Sequence, residues 1–179
     1  MSLVQQLRRL GPRTWLVLIA LACLASVGAA LVSQHVYNMQ PCPWCVLQRL
    51  VYVLIAVFAL AGAAWPTPAA HRAGAAFVAL LAAAGAAAAL WQHFVAASSA
   101  SCNLTLADKL MSALGLDEAL PEVFAAFASC ADAKVNLLGV PYEYWSLALF
   151  AAVAAAAWLF VWRGNEALTP ALSRRRERE

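Results

Sequence analysis

Charge is what this sequence has least of. Asp, Glu, Lys and Arg make up 12% of its 179 residues, against 64% apolar ones, where a soluble domain carries roughly 25% charged residues. So little charge does not cover the surface of a water-soluble globule of 19.0 kDa. The wealth of apolar residues equally excludes a disordered chain. Acidic residues and lysines are absent altogether from four long apolar runs, at about 14–32, 46–64, 73–91 and 144–162. Each comes close to the ~20 residues a helix needs to cross a bilayer at ~1.5 Å per residue. Lipid offers backbone groups no partners, so these runs are helices rather than strands. The expected fold is an all-α integral membrane protein, a four-helix transmembrane bundle. The first run, about 19 residues long, exceeds the ~7–15-residue core of a cleaved signal peptide and is read as a retained span. Small residues fill 82–89 around Gly85 in the third, a composition suited to close helix approach.

What charge there is lies asymmetrically. Arg8, Arg9 and Arg13 precede the first span, Arg72 lies between the second and third, and Arg163, Arg174, Arg175, Arg176 and Arg178 follow the fourth. The opposite loops hold Lys109 and Lys134, with Arg49 near the start of the second span, and the longer loop also carries Asp108, Asp117, Glu118, Glu122, Asp132 and Glu143. By the positive-inside rule both termini are cytoplasmic. A single domain over 1–179 then has external loops at 33–45 and 92–143 and a cytoplasmic tail at 163–179. Trp15, Trp65 and Trp162 fall at the inner ends, and Tyr37, Trp44, Trp91, Tyr142, Tyr144 and Trp145 at the outer ends, as two interfacial belts. The net charge of +3 is modest, and no nucleic-acid partner is expected. Within the long loop, Leu106, Leu110 and Leu114 recur every four residues, and Leu116, Leu120, Phe124 and Phe127 nearly so. These predict short amphipathic helices whose apolar faces either rest on the bilayer or pack beneath the loop.

Four of the five cysteines fall in those external loops, on the side where disulfides persist. Cys42 and Cys45 form a CxxC, and Cys102 and Cys130 stand 27 residues apart in the long loop. Cys23, inside the first span, reads as a small packed hydrophobe. A CxxC supports an easily exchanged disulfide, and this one sits where a helix begins. Cys42 is expected at the cap, Pro43 at the first helical position and Cys45 in the first turn, where amide donors and the helix dipole favour a thiolate. Arg49 follows at i+4 on the same face. An arginine there is costly unless it meets an anion, a dipole or water. A quinone suits it, since its carbonyl oxygens gain negative charge on reduction and its isoprenoid tail belongs in lipid. Gln48 is a candidate hydrogen-bond partner for the same ligand, and His93 a candidate for its protonation. A mobile loop pair beside an interfacial CxxC makes a two-stage thiol relay. Structural zinc favours paired short spacings, which Cys102 and Cys130 lack, so no metal site is expected. Val46 after Cys45 excludes the CxxCH haem motif.

The run Gln40-Pro41-Cys42-Pro43-Trp44-Cys45-Val46-Leu47-Gln48-Arg49 resembles the CxxC-x3-R signature of the DsbB family of bacterial disulfide bond formation proteins. Leu138-Gly139-Val140-Pro141 leading to Trp145-Ser146 is similar to that family's approach to its last span, and the likeness covers nearly the whole chain. It implies a multi-pass inner-membrane enzyme with its active cysteines facing the periplasm. Its catalytic residues would be Cys42, Cys45, Cys102 and Cys130, with Arg49, Gln48 and His93 binding ubiquinone or menaquinone. Cys102 would form the mixed disulfide with a DsbA-type partner, Cys130 would exchange with Cys42, and Cys45 would pass electrons to the membrane quinone pool. Pro43-Trp44 is one version of a variable dipeptide, and the basic tail has no catalytic counterpart. Vitamin K epoxide reductase-type enzymes share the chemistry but place the loop pair before the CxxC. A membrane protein merely stapled by disulfides needs neither a CxxC at a helix start nor an arginine one turn below it.

Overall fold

The structure, a computed structural model, describes residues 11–96, 105–133 and 135–166, with side chains to Trp162. Cys102, Lys134, Arg8, Arg9 and the basic tail at 174–178 lie outside the described residues. Four helices are long and apolar enough to cross a membrane: α1 (Pro12–His35), α2 (Pro43–Ala64), α3 (Pro68–Phe94) and α7 (Tyr142–Glu166). All four start earlier than hydropathy alone suggests, and in three of them Pro12, Pro43 and Pro68 occupy first helical positions, where the missing N–H costs nothing. Cys42 and Thr67 cap α2 and α3 by accepting the N–H groups of Cys45 and Ala70.

Each long helix packs mainly on the next one in the chain. The buried face of α3 shows why its composition is so small. Gly74, Ala75, Val78, Ala82, Gly85, Ala89 and Gln92 are its buried stripe, at the three- and four-residue spacing of one helix face. A Cβ on Gly62 would stand 3.0 Å from the Gly74 Cα, so α2 and α3 meet backbone to backbone. Opposite Gly85 lies Phe150 of α7, fully buried and stacked on Tyr52 of α2 with centroids 4.1 Å apart. Large apolar side chains such as Leu21, Leu80 and Trp158 point outward, which would be an aggregation hazard in water and is matched to lipid in a bilayer.

Between α3 and α7 the described chain forms α4 (Leu106–Ala113), α5 (Leu116–Ala119) and α6 (Pro121–Phe124), then a hairpin of β1 (Asn136–Leu137) and β2 (Val140–Pro141). Thr105 and Asp108 close a capping box at the start of α4. Pro121 divides the expected second amphipathic helix into α5 and α6. Leu106, Leu110, Leu114, Leu120 and Phe127 of the repeats are exposed, on the side open to a bilayer, whereas Phe124 of the second repeat is buried with Ala107 and Met111 against Cys42, Trp44, Val46 and Leu47. Trp44 is therefore a buried residue under this cover, not a member of an interfacial belt. Leu138 and Gly139 both have positive φ, 55° and 80°, the geometry of a tight two-residue hairpin turn. That turn delivers Tyr142, Glu143 and Tyr144 to the same end of the bundle as the cysteines.

Gly85 supplies the test of this packing. An added Cβ there would lie 2.4–2.6 Å from the Phe150 ring, which is held by its stack on Tyr52. We expect Gly85→Ala to destabilise the bundle by about 1–3 kcal/mol, as overpacking does. Gly28→Ala, with open space at its Cβ, should be neutral or stabilising in the same thermal unfolding measurement in lipid nanodiscs.

Candidate functional site

Proline chemistry sets the geometry of the CxxC. Pro43 disfavours helical torsions at the residue before it, and Cys42 is extended at φ −87°, ψ 166°. It thereby becomes the N-cap, its sulfur accepting the Cys45 N–H at 3.3 Å. One helical turn brings the two sulfurs to 2.7 Å. Both thiols are unbonded, as are those of Cys23 and Cys130, and Cys23 is buried in the bundle core as expected.

A second segment lays Cys130 against this cap. The N–H groups of Phe127 and Ala128 both donate to the Pro41 carbonyl, at 3.0 and 3.3 Å. The chain just before Cys130 is thus pinned to the residue just before Cys42. Cys130 is buried, accepts the Trp44 N–H and shares a hydrogen bond with Cys42. Three sulfurs therefore adjoin in the order Cys130, Cys42, Cys45.

Along α2, Cys45, Gln48, Arg49 and Tyr52 face one cleft, together with Val27 and Ala30 of α1, Pro41, Gln92 of α3, and Tyr142 and Glu143 of α7. Gln48 is buried and donates to the Gln92 Oε1 at 2.7 Å, and the Gln92 Nε2 donates in turn to the Cys45 sulfur at 3.2 Å. Arg49 is also buried. Its Nη1 donates to the Gln34 Oε1 at 2.7 Å and the Val123 carbonyl at 3.0 Å, and its Nη2 to the Ala30 carbonyl at 3.4 Å. All three partners are neutral oxygens. Gln34 also donates to the Glu122 carbonyl at 3.4 Å, so one guanidinium and one amide join α1, α2 and α6.

Of the residues expected at the site, Cys42, Cys45, Cys130, Arg49 and Gln48 converge, and Cys102 lies outside the described residues. His93 does not line the cleft. One residue beyond Gln92 it points about 100° further round the helix, where its Nδ1 meets Glu143 at 2.8 Å and its Nε2 the Tyr144 hydroxyl at 3.0 Å. Three site residues escaped the sequence reading: Gln34, Gln92 and Glu143. The first two were signalled as uncharged polar groups at the ends of apolar helices, and Gln92 continues the stripe of Gly85 and Ala89 at three- and four-residue steps. Among the described residues no group of three His, Cys, Asp or Glu side chains is arranged to hold a metal ion.

The sulfurs are electrically unequal. Hydrogen bonds to Cys130 and then to Cys45, with burial added, push the Cys42 thiol well above the ordinary thiol range. Cys130 is moved the other way, since the hydrogen bond from Cys42 outweighs burial and the Trp44 N–H adds to it. Cys42 is thus the donor of the hydrogen bond they share and Cys130 the acceptor. A lowered value means that Cys130 stays ionised further below the usual thiol midpoint of about 8.5. In the fully reduced protein, Cys42→Ala should move the pH midpoint of Cys130 alkylation, read by mass spectrometry, upward. A midpoint that stays in place contradicts the shared hydrogen bond.

A profile of the family described as "Disulfide bond formation protein DsbB" matches residues 12–160. Disulfide bond formation protein B of Burkholderia pseudomallei is 36% identical over 154 residues, covering 86% of this chain and 90% of the relative. Disulfide bond formation protein B 1 of Pseudomonas syringae is 35% identical over 146 residues, covering 79% and 85%. The namesake from Pseudomonas aeruginosa is 35% identical over 145 residues, covering 79% and 89%. By extent of match and by identity, this chain belongs to the DsbB family, the membrane proteins of disulfide bond formation.

Proposed function

We propose that this protein is a protein-dithiol:quinone oxidoreductase that reoxidises a DsbA-type dithiol protein at the periplasmic face of the bacterial inner membrane. One observation carries the reading: the line of sulfurs from Cys130 through Cys42 to Cys45 ends in a cleft shared with Arg49 and Gln48. The orientation rests on Arg13 and Arg72, which belong to the ends of α1 and α3 remote from the cysteines. Basic residues favour the cytoplasmic side, which leaves the sulfurs in the oxidising compartment.

The exchanges follow from thiolate chemistry. A partner thiolate attacks Cys102 in a Cys102–Cys130 disulfide, a mixed disulfide forms, and Cys130 leaves as a thiolate. Cys130 attacks Cys42 in the Cys42–Cys45 disulfide, so the Cys42–Cys130 bond forms and Cys45 leaves as a thiolate facing the cleft. The partner's second thiolate displaces Cys102 and departs oxidised. Cys102 then attacks Cys130, restoring their disulfide and freeing Cys42 to close on Cys45 as two electrons leave.

Ubiquinone, or menaquinone without oxygen, is the acceptor we assign to the cleft. The residues fit it: Arg49 has a full charge and, among the described residues, neutral oxygens as its hydrogen-bond partners, Gln48 lies beside it, and Val27, Ala30 and Pro41 give an apolar wall. A bound quinone supplies a sink for two electrons and two protons. Arg49 and Gln48 would hold its oxygens, and Gln92 orients the Cys45 sulfur.

With a short-tailed ubiquinone and a reduced DsbA-type protein, Cys45→Ser is expected to abolish turnover, and full activity in that variant would refute the reading. Arg49→Ala should raise the quinone KM roughly tenfold or more, as loss of a hydrogen bond to a charged group implies, with the partner KM unchanged. An unaltered quinone KM would leave Arg49 a structural clamp.

A further inference from the structure

We propose that Glu143 is the proton donor of the cleft, held in position and recharged by His93. The inference rests on the quinone reading above and assigns to this pair the half of the chemistry that sulfur does not perform. Glu143 is in the first turn of α7, lines the cleft with Cys45 and Arg49, and is the one carboxyl among the described residues that does so. Its side chain is 10% exposed, and that of His93 is 28% exposed. A carboxyl so enclosed needs a partner, and the His93 Nδ1 provides it at 2.8 Å. The other ring nitrogen of His93 is engaged as well, with the Tyr144 hydroxyl at 3.0 Å, in a contact open to solvent. Three heteroatom groups thus run from cleft to surface: carboxyl, imidazole, phenol. Both ring nitrogens of His93 are used in this chain, which leaves neither for a ligand in the cleft.

Closing the Cys42–Cys45 bond releases two electrons, and turning a quinone into a quinol consumes two electrons and two protons. Cys45 acts as a thiolate, so its proton has already gone to water and must return by another route. Glu143, as the acid, gives one proton to the acceptor oxygen, regains one from His93, and His93 regains one past Tyr144. A second passage supplies the other, so dithiol and quinone become disulfide and quinol. The remaining ionisable groups around Glu143 do not replace it. Arg49 does not give up its proton at any working pH. The Tyr52 hydroxyl is committed to the Ser146 carbonyl at 3.1 Å. Cys45 is the electron donor, and Tyr144 lies beyond His93, its hydroxyl 3.0 Å from the ring Nε2.

The test uses the full chain in lipid nanodiscs with a short-tailed ubiquinone and a reduced DsbA-type partner. Glu143→Gln should lower kcat by about a hundredfold, within the usual range for a general acid. Its rate should fall about tenfold per unit as pH rises, since only solvent protons remain, and added acetic acid should restore part of it. Equilibrium binding of the quinone to Cys45→Ser protein, read by tryptophan quenching, should stay within about twofold when Glu143→Gln is added. In the protein without quinone, the same change should shift the nitrogen NMR signal of His93. Glu143→Asp, which keeps the carboxyl, should retain more activity than Glu143→Gln. Wild-type kcat in Glu143→Gln, a loss matched by weaker quinone binding, or Asp no better than Gln would each overturn the proposal. If the wild-type protein itself fails to oxidise the partner with quinone, it is the functional reading that falls.

Discussion

A guanidinium carried one turn into an apolar helix bundle cannot keep its water, and losing it costs several kcal/mol unless other groups replace the lost hydrogen bonds. Arg49 recovers them from three directions, the Gln34 amide, the Ala30 carbonyl and the Val123 carbonyl. Its solvation therefore binds α1 and α6 to α2 at the level of the cysteines. The arrangement satisfies geometry without cancelling charge, because every partner is neutral. The Arg49 charge thus stands beside the cleft with neutral oxygens as its hydrogen-bond partners among the described residues. That charge is what a group acquiring negative charge beside Cys45 would meet.

Position along α2 explains the order of the sulfurs. A side chain at an N-cap normally accepts an amide hydrogen through oxygen; here the Cys42 sulfur does so. Since Cys42 lies outside the helical turn and Cys45 within it, one sulfur is reachable from the 127–130 segment and the other from the cleft. The Pro41 carbonyl, freed from helical duty, holds Phe127 and Ala128 and so places Cys130. Short-range constraints of two prolines thus accomplish a long-range juxtaposition.

Much of this was legible in the residues. Four spans, the cap at Cys42, Pro43 at the first position and Arg49 on the face of Cys45 follow from hydropathy, proline stereochemistry and helical period. The segment around Cys130 was not, because contact between residues far apart in sequence is decided by packing. The leucine repeat at 106, 110 and 114 marked a real helix, but which of its two expected uses holds depended on packing: Ala107 and Met111 cover Trp44 and the leucines stay exposed. His93 drew attention for its chemistry, whereas its neighbour Gln92 reaches the sulfur. Only knowledge of which face of α3 packs on α2 distinguishes the two, and that face is set by glycine and alanine spacing rather than by polar residues.

Buried polarity in this molecule is concentrated. Among the described residues, Gln34, Gln48, Arg49, His71 and Gln92 are the buried polar or charged side chains, and all but His71 stand at the cysteine end. In a medium of low dielectric each hydrogen bond is stronger and each unmet one more costly, so such a cluster either connects completely or unfolds locally. Here it connects: Gln48 to Gln92 to Cys45 on one side, Arg49 to Gln34 on the other. The two branches leave α2 from adjacent residues and reach α3 and α1 respectively. Sulfur orientation and arginine placement are consequently coupled through a single turn of helix, and a movement of either neighbour is felt at both. The Cys45 sulfur and the Arg49 charge are thereby kept in register by the same few bonds.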